Sequence, residues 1–398
     1  MLSSYCVKNK DSLIFRPAVL WLMTLISLCL SAQLQAREYK WTHFGVRPLA
    51  MGNAFVAVVD DQNALFYNPA GLARLQTWDF EILNPTFEVS TRTLGLYKDI
   101  INLNKKDTST STSTTSSSST SSSGNSDIDS ILDVFQHETG RTHSFGLKLN
   151  PHFITSNWGF GVGMDNSFSL VFHEQIEMDV QLGSTTIAPF GIGFNFLENR
   201  LSLGAALKYV YAMGIDQTFG IDSMAKASKE LTDYIQTGRG MGLDLGLLFT
   251  PFDVMQPTLG ISLTDAGGTR LDKFPPPGAK AGASSAQLPP RLPSLNVGLS
   301  IKPVKTDWLY LLLAMDSQMI NQPIHFSHKL SLGAELGLGS LLKLQAGVHE
   351  GDISGGFQFD VGLVNIRFAS YSVDHGPVVG LDKELKDRRY ALQLKILI

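Results

Sequence analysis

Along most of the chain, apolar and polar side chains alternate with a period of two. That is the pattern of strands with two unlike faces. In the segment from Phe326, one face carries Phe326, Leu330, Leu332, Ala334 and Leu336, and the other Ser327, Lys329, Ser331, Gly333 and Glu335. From Leu201, Leu203, Leu207, Tyr209 and Tyr211 oppose Ser202, Gly204 and Lys208. From Met241, Leu243, Leu245, Leu247 and Phe249 oppose Gly242, Asp244 and Gly246. From Leu342, Leu344, Ala346 and Val348 oppose Lys343, Gln345 and Gly347. The last segment alternates most cleanly, with Tyr390, Leu392, Leu394, Ile396 and Ile398 set against Ala391, Gln393, Lys395 and Leu397.

Fourteen such segments begin near residues 79, 142, 158, 186, 201, 239, 257, 291, 307, 326, 341, 353, 364 and 387. Links at 91–141, 215–238, 266–290 and 374–386 are long. Those near 151–157, 198–200, 251–256, 303–306, 338–340 and 362–363 are short, and a tight link near 350–352 breaks the order. Short turns on one rim and long loops on the other are what a membrane barrel shows. A soluble sandwich alternates too, but its water face is richly charged. Here the second face is Gly, Ser and Gln with scattered charges, which suits a narrow polar lumen. The segments run about nine to seventeen residues, against the roughly nine to eleven that a tilted spanning strand needs. The expected fold is therefore all-β: a transmembrane antiparallel β-barrel of about fourteen strands over residues 78–398. An even strand count puts both of its ends on the short-turn side.

The N-terminus follows another pattern. Lys8, Lys10 and Arg16 precede an apolar run at 18–30, and Ala32 and Ala36 follow as cleavage positions, each with Leu at −3. Residues 1–36 read as a secretory signal peptide, and an uncleaved anchor is the alternative. Cys6 and Cys29 both lie inside it. The processed chain then has no disulfide, thiolate metal site or cysteine nucleophile. Leu28, where a small residue is needed, argues against a lipoprotein. Residues 108–123 are an unbroken Ser/Thr run. With no apolar side chain to offset the entropy of ordering, 107–126 is expected to be a disordered loop, followed by a short helix at 127–136. A Pro-, Gly- and Ala-rich loop is expected at 275–290 and a helix within 222–236.

Composition narrows the class. Charged residues are 17%, below the roughly 25% of ordinary soluble chains. The net charge of −4 argues against nucleic-acid binding. A single apolar run excludes a multi-span helical membrane protein.

Between the signal peptide and the first strand, residues 45–75 read GVRPLAMGNAFVAVVDDQNALFYNPAGLARL. This segment resembles the plug of the long-chain fatty-acid transporter (FadL-like) family of Gram-negative outer-membrane barrels. It is most similar to a branch with a "MGxAFVAVxDD…NPAGLA" pattern. Residues 332–359, LGAELGLGSLLKLQAGVHEGDISGGFQF, resemble the penultimate strands of that branch. Asn53 and Val59 depart from the pattern, the Ser/Thr run is foreign to it, and the chain ends in Ile398 where an aromatic residue is usual. The resemblance implies a barrel in which residues 37–77 fold into the lumen as a hatch. A hydrophobic, fatty-acid-like ligand then enters from outside, shifts the hatch and leaves through a gap in the wall. It also implies residence in the outer-membrane bilayer and recognition of Tyr390–Ile398 by the barrel-assembly machinery. Some relatives are instead partners of secretion or conjugation systems, and that is the alternative function.

The candidate hatch residues are Gly52, Asp60, Asp61, Asn68, Pro69, Ala70 and Gly71. Asn before Pro initiates a turn, and Gly52 and Gly71 permit close approach of backbone to the wall. Asp60 and Asp61 are ill-suited to lipid, and Lys148, Lys208 and Lys343 are their candidate partners in the lumen. The plainer reading of Asn68–Gly71 is a tight turn closing the barrel's end.

Catalytic chemistry is sparse. Nine scattered histidines form no HExxH pair; His325 and His328 lie three apart at a strand start, facing opposite sides. There is no GxSxG elbow or phosphate loop. Glycine-rich 238–242 and 351–356 read as bends or bulges. Asp374 and His375 are the remaining rim-enzyme candidates. No cofactor or metal is expected, and no enzyme activity. Trp78, Trp158, Tyr211, Trp308, Tyr310, Tyr371 and Tyr390 fall near strand ends, as interface girdles do.

Overall fold

A computed structural model describes residues 45–93, 95, 138–173, 177–220, 234–275, 286–362, 364–377 and 384–396. The signal peptide, residues 37–44 of the expected hatch, the Ser/Thr loop, the helix expected at 127–136, most of the one expected at 222–236, most of the loop expected at 275–290, and Ile398 lie outside the described residues.

Fourteen strands close into an antiparallel barrel. Three are interrupted: β1 (Asp79–Glu81 and Thr86–Ser90), β2 (Thr142–Leu149 and His152–Ile154) and β3 (Trp158–Gly161 and Gly163–Phe172). The next are β4 (Glu177–Phe196), β5 (Leu201–Gly220), β6 (Gln236–Phe249), β7 (Thr258–Thr264), β8 (Ser294–Lys305) and β9 (Leu309–Ser317). The last are β10 (Leu330–Leu338), β11 (Leu342–His349), β12 (Asp352–Asp360), β13 (Val364–Pro377) and β14 (Glu384–Ile396). Each pairs with its sequence neighbours, and β14 closes on β1 with Arg389 opposite Ser90 and Leu392 opposite Phe87. Closure leaves no unpaired edge in the wall. Among the described residues no helix is long and apolar enough to cross a membrane.

Every expected strand is present, with shifted ends. β4 begins at Glu177 rather than near 186, and β4 and β5 pair over 20 residues each, while β7 has seven. β11 and β12, across the barrel from β4 and β5, have eight and nine residues, so the β4–β5 wall rises above the opposite one. β10 begins at Leu330 because Phe326–Lys329 turn as a helix, capped where His325 accepts from the Ser327 N–H. His325 and His328 thus sit on a helical turn, not on two faces of a strand.

The alternation separates two environments. Leu203, Leu207, Tyr209, Leu243, Leu245, Leu332, Leu344, Leu392 and Leu394 are exposed on the outer wall, while Ser202, Lys208, Asp244, Ser331, Glu335, Gln345, Gln393 and Lys395 are buried. An apolar exterior over a polar interior is the arrangement a bilayer selects. Trp78, Trp158 and Trp308 stay exposed as girdle residues should. Tyr310 and Tyr371 do not belong to that girdle. Tyr310 donates to Glu335 in the lumen at 2.7 Å, and Tyr371 is buried against the N-terminal segment.

Candidate functional site

Residues 45–77 lie inside the barrel and fill it from wall to wall. Helix α1 (Val46–Ala50) ends where Gly52 and Asn53 take positive φ (60° and 62°), which turns the chain back. A second short helix, α2 (Ala64–Tyr67), leads into a 3-10 helix at Pro69–Arg74. Asn68 caps it by accepting from the Ala70 N–H at 3.2 Å, and Pro69 stands at the first position, where no N–H is needed. Met51, Ala54, Phe55, Leu65, Ala70 and Leu72 form a core with Ile154, Leu248 and Leu312 of the wall.

What seats this plug is glycine. A Cβ at Gly204 of β5 would overlap the Pro69–Ala70 peptide, one at Gly260 of β7 would lie 2.6 Å from the Val56 carbonyl, and one at Gly333 of β10 2.6 Å from the Met51 carbonyl. Gly193, Gly246 and Gly347 meet the plug in the same way, while a Cβ at Gly298 or Gly356 would first meet the wall, at Asp316 or the Phe368 carbonyl, and then Val56 or Ala50 of the plug. The inward glycines that meet the plug are therefore not bends, and the lumen they line is not open water at this level, whereas Gly238, Gly240 and Gly242 face Leu271, Arg270 and Thr269 instead and Gly351 turns at φ 81°. The plug-facing glycines form a collar against which plug backbone rests.

Polar side chains of the wall then satisfy the plug's main chain. One carboxylate oxygen of Asp316 (β9) accepts from the N–H groups of Phe55 and Val56 at 2.5 and 2.7 Å. Gln318 donates to the Asn53 carbonyl and accepts from the Asn53 side chain. Ser262, Ser300, Ser354 and Asn195 donate to the carbonyls of Tyr67, Ala57, Ala50 and Ala73. Buried backbone groups require such partners.

Arg47 is the ionic centre, buried to 4% exposure. Its Nε and Nη2 fork onto Glu335 of β10 at 2.7 and 2.8 Å, and Nη1 reaches Asp60 at 2.6 Å and Asp61 at 2.9 Å. Glu335 also accepts from Tyr310 and Gln345. Burial disfavours the guanidinium's charge, but Asp60, Glu335 and Asp61 outweigh it and raise its pKa. Burial pushes the Asp60 carboxyl up, and Arg47 and Lys302 more than offset this and hold it below the usual range.

The candidate residues therefore separate. Gly52 sits against the wall: a Cβ there would lie 2.6 Å from the Val348 nitrogen. Gly71 packs within the plug instead, on Val59 and Ala64. Asn68 donates to the carbonyls of Val56, Leu247 and Ile261, tying plug to wall. Pro69 and Ala70 rest on the collar. Asp60 and Asp61 turn to Arg47 rather than to the three lysines named for them, and Asp60 also lies 4.0 Å from Lys302. Lys148 pairs with Glu88 at 2.7 Å, and Lys208 with Asp244 at 2.7 Å and Asp265 at 3.1 Å. Arg47 escaped sequence reasoning although it lies in the quoted motif, because the reversal at Gly52–Asn53 that folds it back leaves no mark in spacing.

A second feature also went unread. The interruptions of β1 (82–85), β2 (150–151) and β3 (162) lie side by side, forming a seam across three strands. Asn84 donates to the Asn150 carbonyl and accepts from the Asn150 N–H, both at 2.7 Å, and the Val162 N–H donates to Pro151 at 2.9 Å. Pro85 and Pro151 bring no N–H to a ladder. Asn-Pro occurs at 84–85 and 150–151 as well as at 68–69, and that repeated pair was the available signal. Beside the seam, Asp79, Glu81 and His152 converge within ligand distance. The Lys395 ammonium already sits among them, 3.1 Å from Asp79 and against Glu81. Of the rim-enzyme pair, Asp374 is buried and the His375 side chain lies outside the described residues.

No family model matches the chain, and no curated protein matches it. Solved structures do. The Pseudomonas putida toluene transporter TodX superposes with a TM-score of 0.51 at 13% identity, over 90% of this chain and 99% of that one. The CymD monoaromatic hydrocarbon channel gives 0.52 at 12% identity, over 90% and 98%. The barrel is FadL-like in fold. A TodX deltaS2S3 mutant, also a monoaromatic hydrocarbon channel, gives 0.50 at 12% identity over 89% and 99%. A FadL-like fold accounts for the strand number and the closed antiparallel order.

Proposed function

We propose that this chain is an outer-membrane channel for passive uptake of hydrophobic small molecules, with residues 45–77 as its hatch. The observation that carries the reading is the lumen itself, closed by the chain's own N-terminal segment on a collar of glycines, beside a wall whose ladder is interrupted at β1–β3. A solute entering from the long-loop side meets the plug. The nearest break in the strand ladder is the seam held by Asn84 and Asn150, which gives an apolar solute a sideways exit toward lipid. Proteins of the same fold are named for toluene and monoaromatic hydrocarbons, which supports neutral hydrophobic compounds as substrates beside fatty-acid-like ones. The signal peptide, the long-loop rim facing outside and recognition of β14 by the assembly machinery complete this reading.

Uptake of labelled toluene and of a labelled long-chain fatty acid, in cells that lack other such channels, tests it. Expression of the chain should accelerate entry of at least one of the two. Unchanged entry of both, with the folded barrel present in the outer membrane, would overturn the transport reading. Co-purification of the barrel with a secretion or conjugation complex would then favour an accessory role.

A further inference from the structure

β14, β1 and β2 meet at the long-loop rim, and side-chain parity tells which way each residue there points. On β14, Leu392 and Leu394 are exposed while Gln393 and Lys395 are buried. Even-numbered positions therefore face outward, and Tyr390 and Arg388 continue that face toward the rim. The register agrees, since Tyr390 lies opposite Ser370 and Arg388 opposite Ser372 on β13. The Arg388 guanidinium donates to Ser370 at 2.9 Å, to Ser372 at 3.5 Å and to the carbonyl of outward-facing Ile353 at 2.5 Å. One step toward the bilayer, Tyr390 stacks on Phe368 and Phe368 on Phe357, with centroids 6.0 and 5.5 Å apart. Stacked aromatics on the outer wall mark the level of a membrane–water boundary.

At that level opens a cleft of about 480 Å³ lined by Arg92, Glu138, Arg141, Lys386, Arg388 and Tyr390. Two of its four cations meet acids: Arg141 lies 3.3 Å from Glu138 and Lys386 2.9 Å from Asp352. Arg388 bonds neutral oxygens only, and among the described residues Arg92 makes no ion pair. Among the described residues, two guanidinium charges are thus left without a carboxylate.

We propose that this cleft binds the phosphate group of a membrane lipid in the leaflet on the long-loop side. Guanidinium forks match phosphate oxygens in pairs. Tyr390, Leu392 and Phe368 below supply an apolar wall for the acyl chains. The inference rests on the membrane-barrel reading alone, so it stands or falls separately from uptake.

Native mass spectrometry of the full barrel in detergent tests it, with phosphatidic acid, the matching diacylglycerol and inorganic phosphate as probes. The wild type should retain phosphatidic acid and not diacylglycerol. The variant Arg92→Gln/Arg388→Gln should weaken retention about tenfold, and Arg200→Gln/Lys305→Gln on the opposite rim should leave it intact. If the double variant does not fold, Arg92→Gln alone serves, because Arg92 holds no described bond. Equal retention by Arg92→Gln/Arg388→Gln overturns the site, as does equal binding of diacylglycerol. Displacement of the lipid by an equal concentration of inorganic phosphate would make a free anion, not a lipid, the ligand.

Discussion

Arg47 carries more of the plug's attachment than any residue singled out from the sequence. Its fork on Glu335 joins plug to wall, and its remaining N–H joins the two halves of the plug through Asp60 and Asp61. Replacing it with Met strands the buried Glu335 charge, and breaking a buried pair on one side costs about 3–5 kcal/mol. Arg47→Met should therefore lower the unfolding midpoint and expose residues 45–77 to protease. Arg47→Met/Glu335→Leu should recover much of the loss, because the orphaned charge is gone. Acid should act on the same cluster. A carboxyl held below its unfolded value contributes stability that is fully present above that value, about 3.8 for Asp60. The contribution is lost as pH falls through the lowered one. Hydrogen exchange of the plug amides should therefore accelerate below the usual carboxylate range, and the step should be blunted in Arg47→Met. The sequence showed that Asp60 and Asp61 needed a cation. It did not show which, since the nearest in space is reached only through the left-handed pair Gly52–Asn53.

The strands were legible because a two-faced wall forces alternation on every one of them. Their inward glycines were read as lumen lining or bends, since a glycine's purpose is set by what approaches it, and the approaching chain is 120 to 306 residues away in sequence. This assigns the collar a testable role. Gly204→Val places side-chain atoms where the Pro69–Ala70 peptide now lies, and overpacking of this kind costs typically about 1–3 kcal/mol. The barrel should still fold, seen as a heat-modifiable band, while the plug becomes protease-sensitive. Gly355→Ala is the control, because its Cβ would meet only the Gln345 carbonyl at 3.4 Å, an ordinary contact. The seam was missed for a related reason: single strands keep their alternation on either side of a break, so only the repeated Asn-Pro pairs betray it.

For the molecule as a whole, low charge with moderate hydrophobicity is the average of an apolar outer wall and a polar inner one. Among the described residues, the inner face at the level of 45–77 does not line an open pore. Part of it holds 45–77, through serine, asparagine, aspartate and glycine aimed at the plug backbone. On the proposed channel reading, a solute passes only if the plug yields locally or the seam parts, so the plug should control what passes. Uptake by the barrel lacking residues 45–72, beside wild type and Arg47→Met, reads this most directly. The deletion should change the entry rate of labelled long-chain fatty acid and toluene and admit small hydrophilic solutes that the wild type excludes, with Arg47→Met intermediate. A folded deletion barrel that passes hydrophobic and hydrophilic solutes at the wild-type rates would show that the N-terminal segment is not a gate.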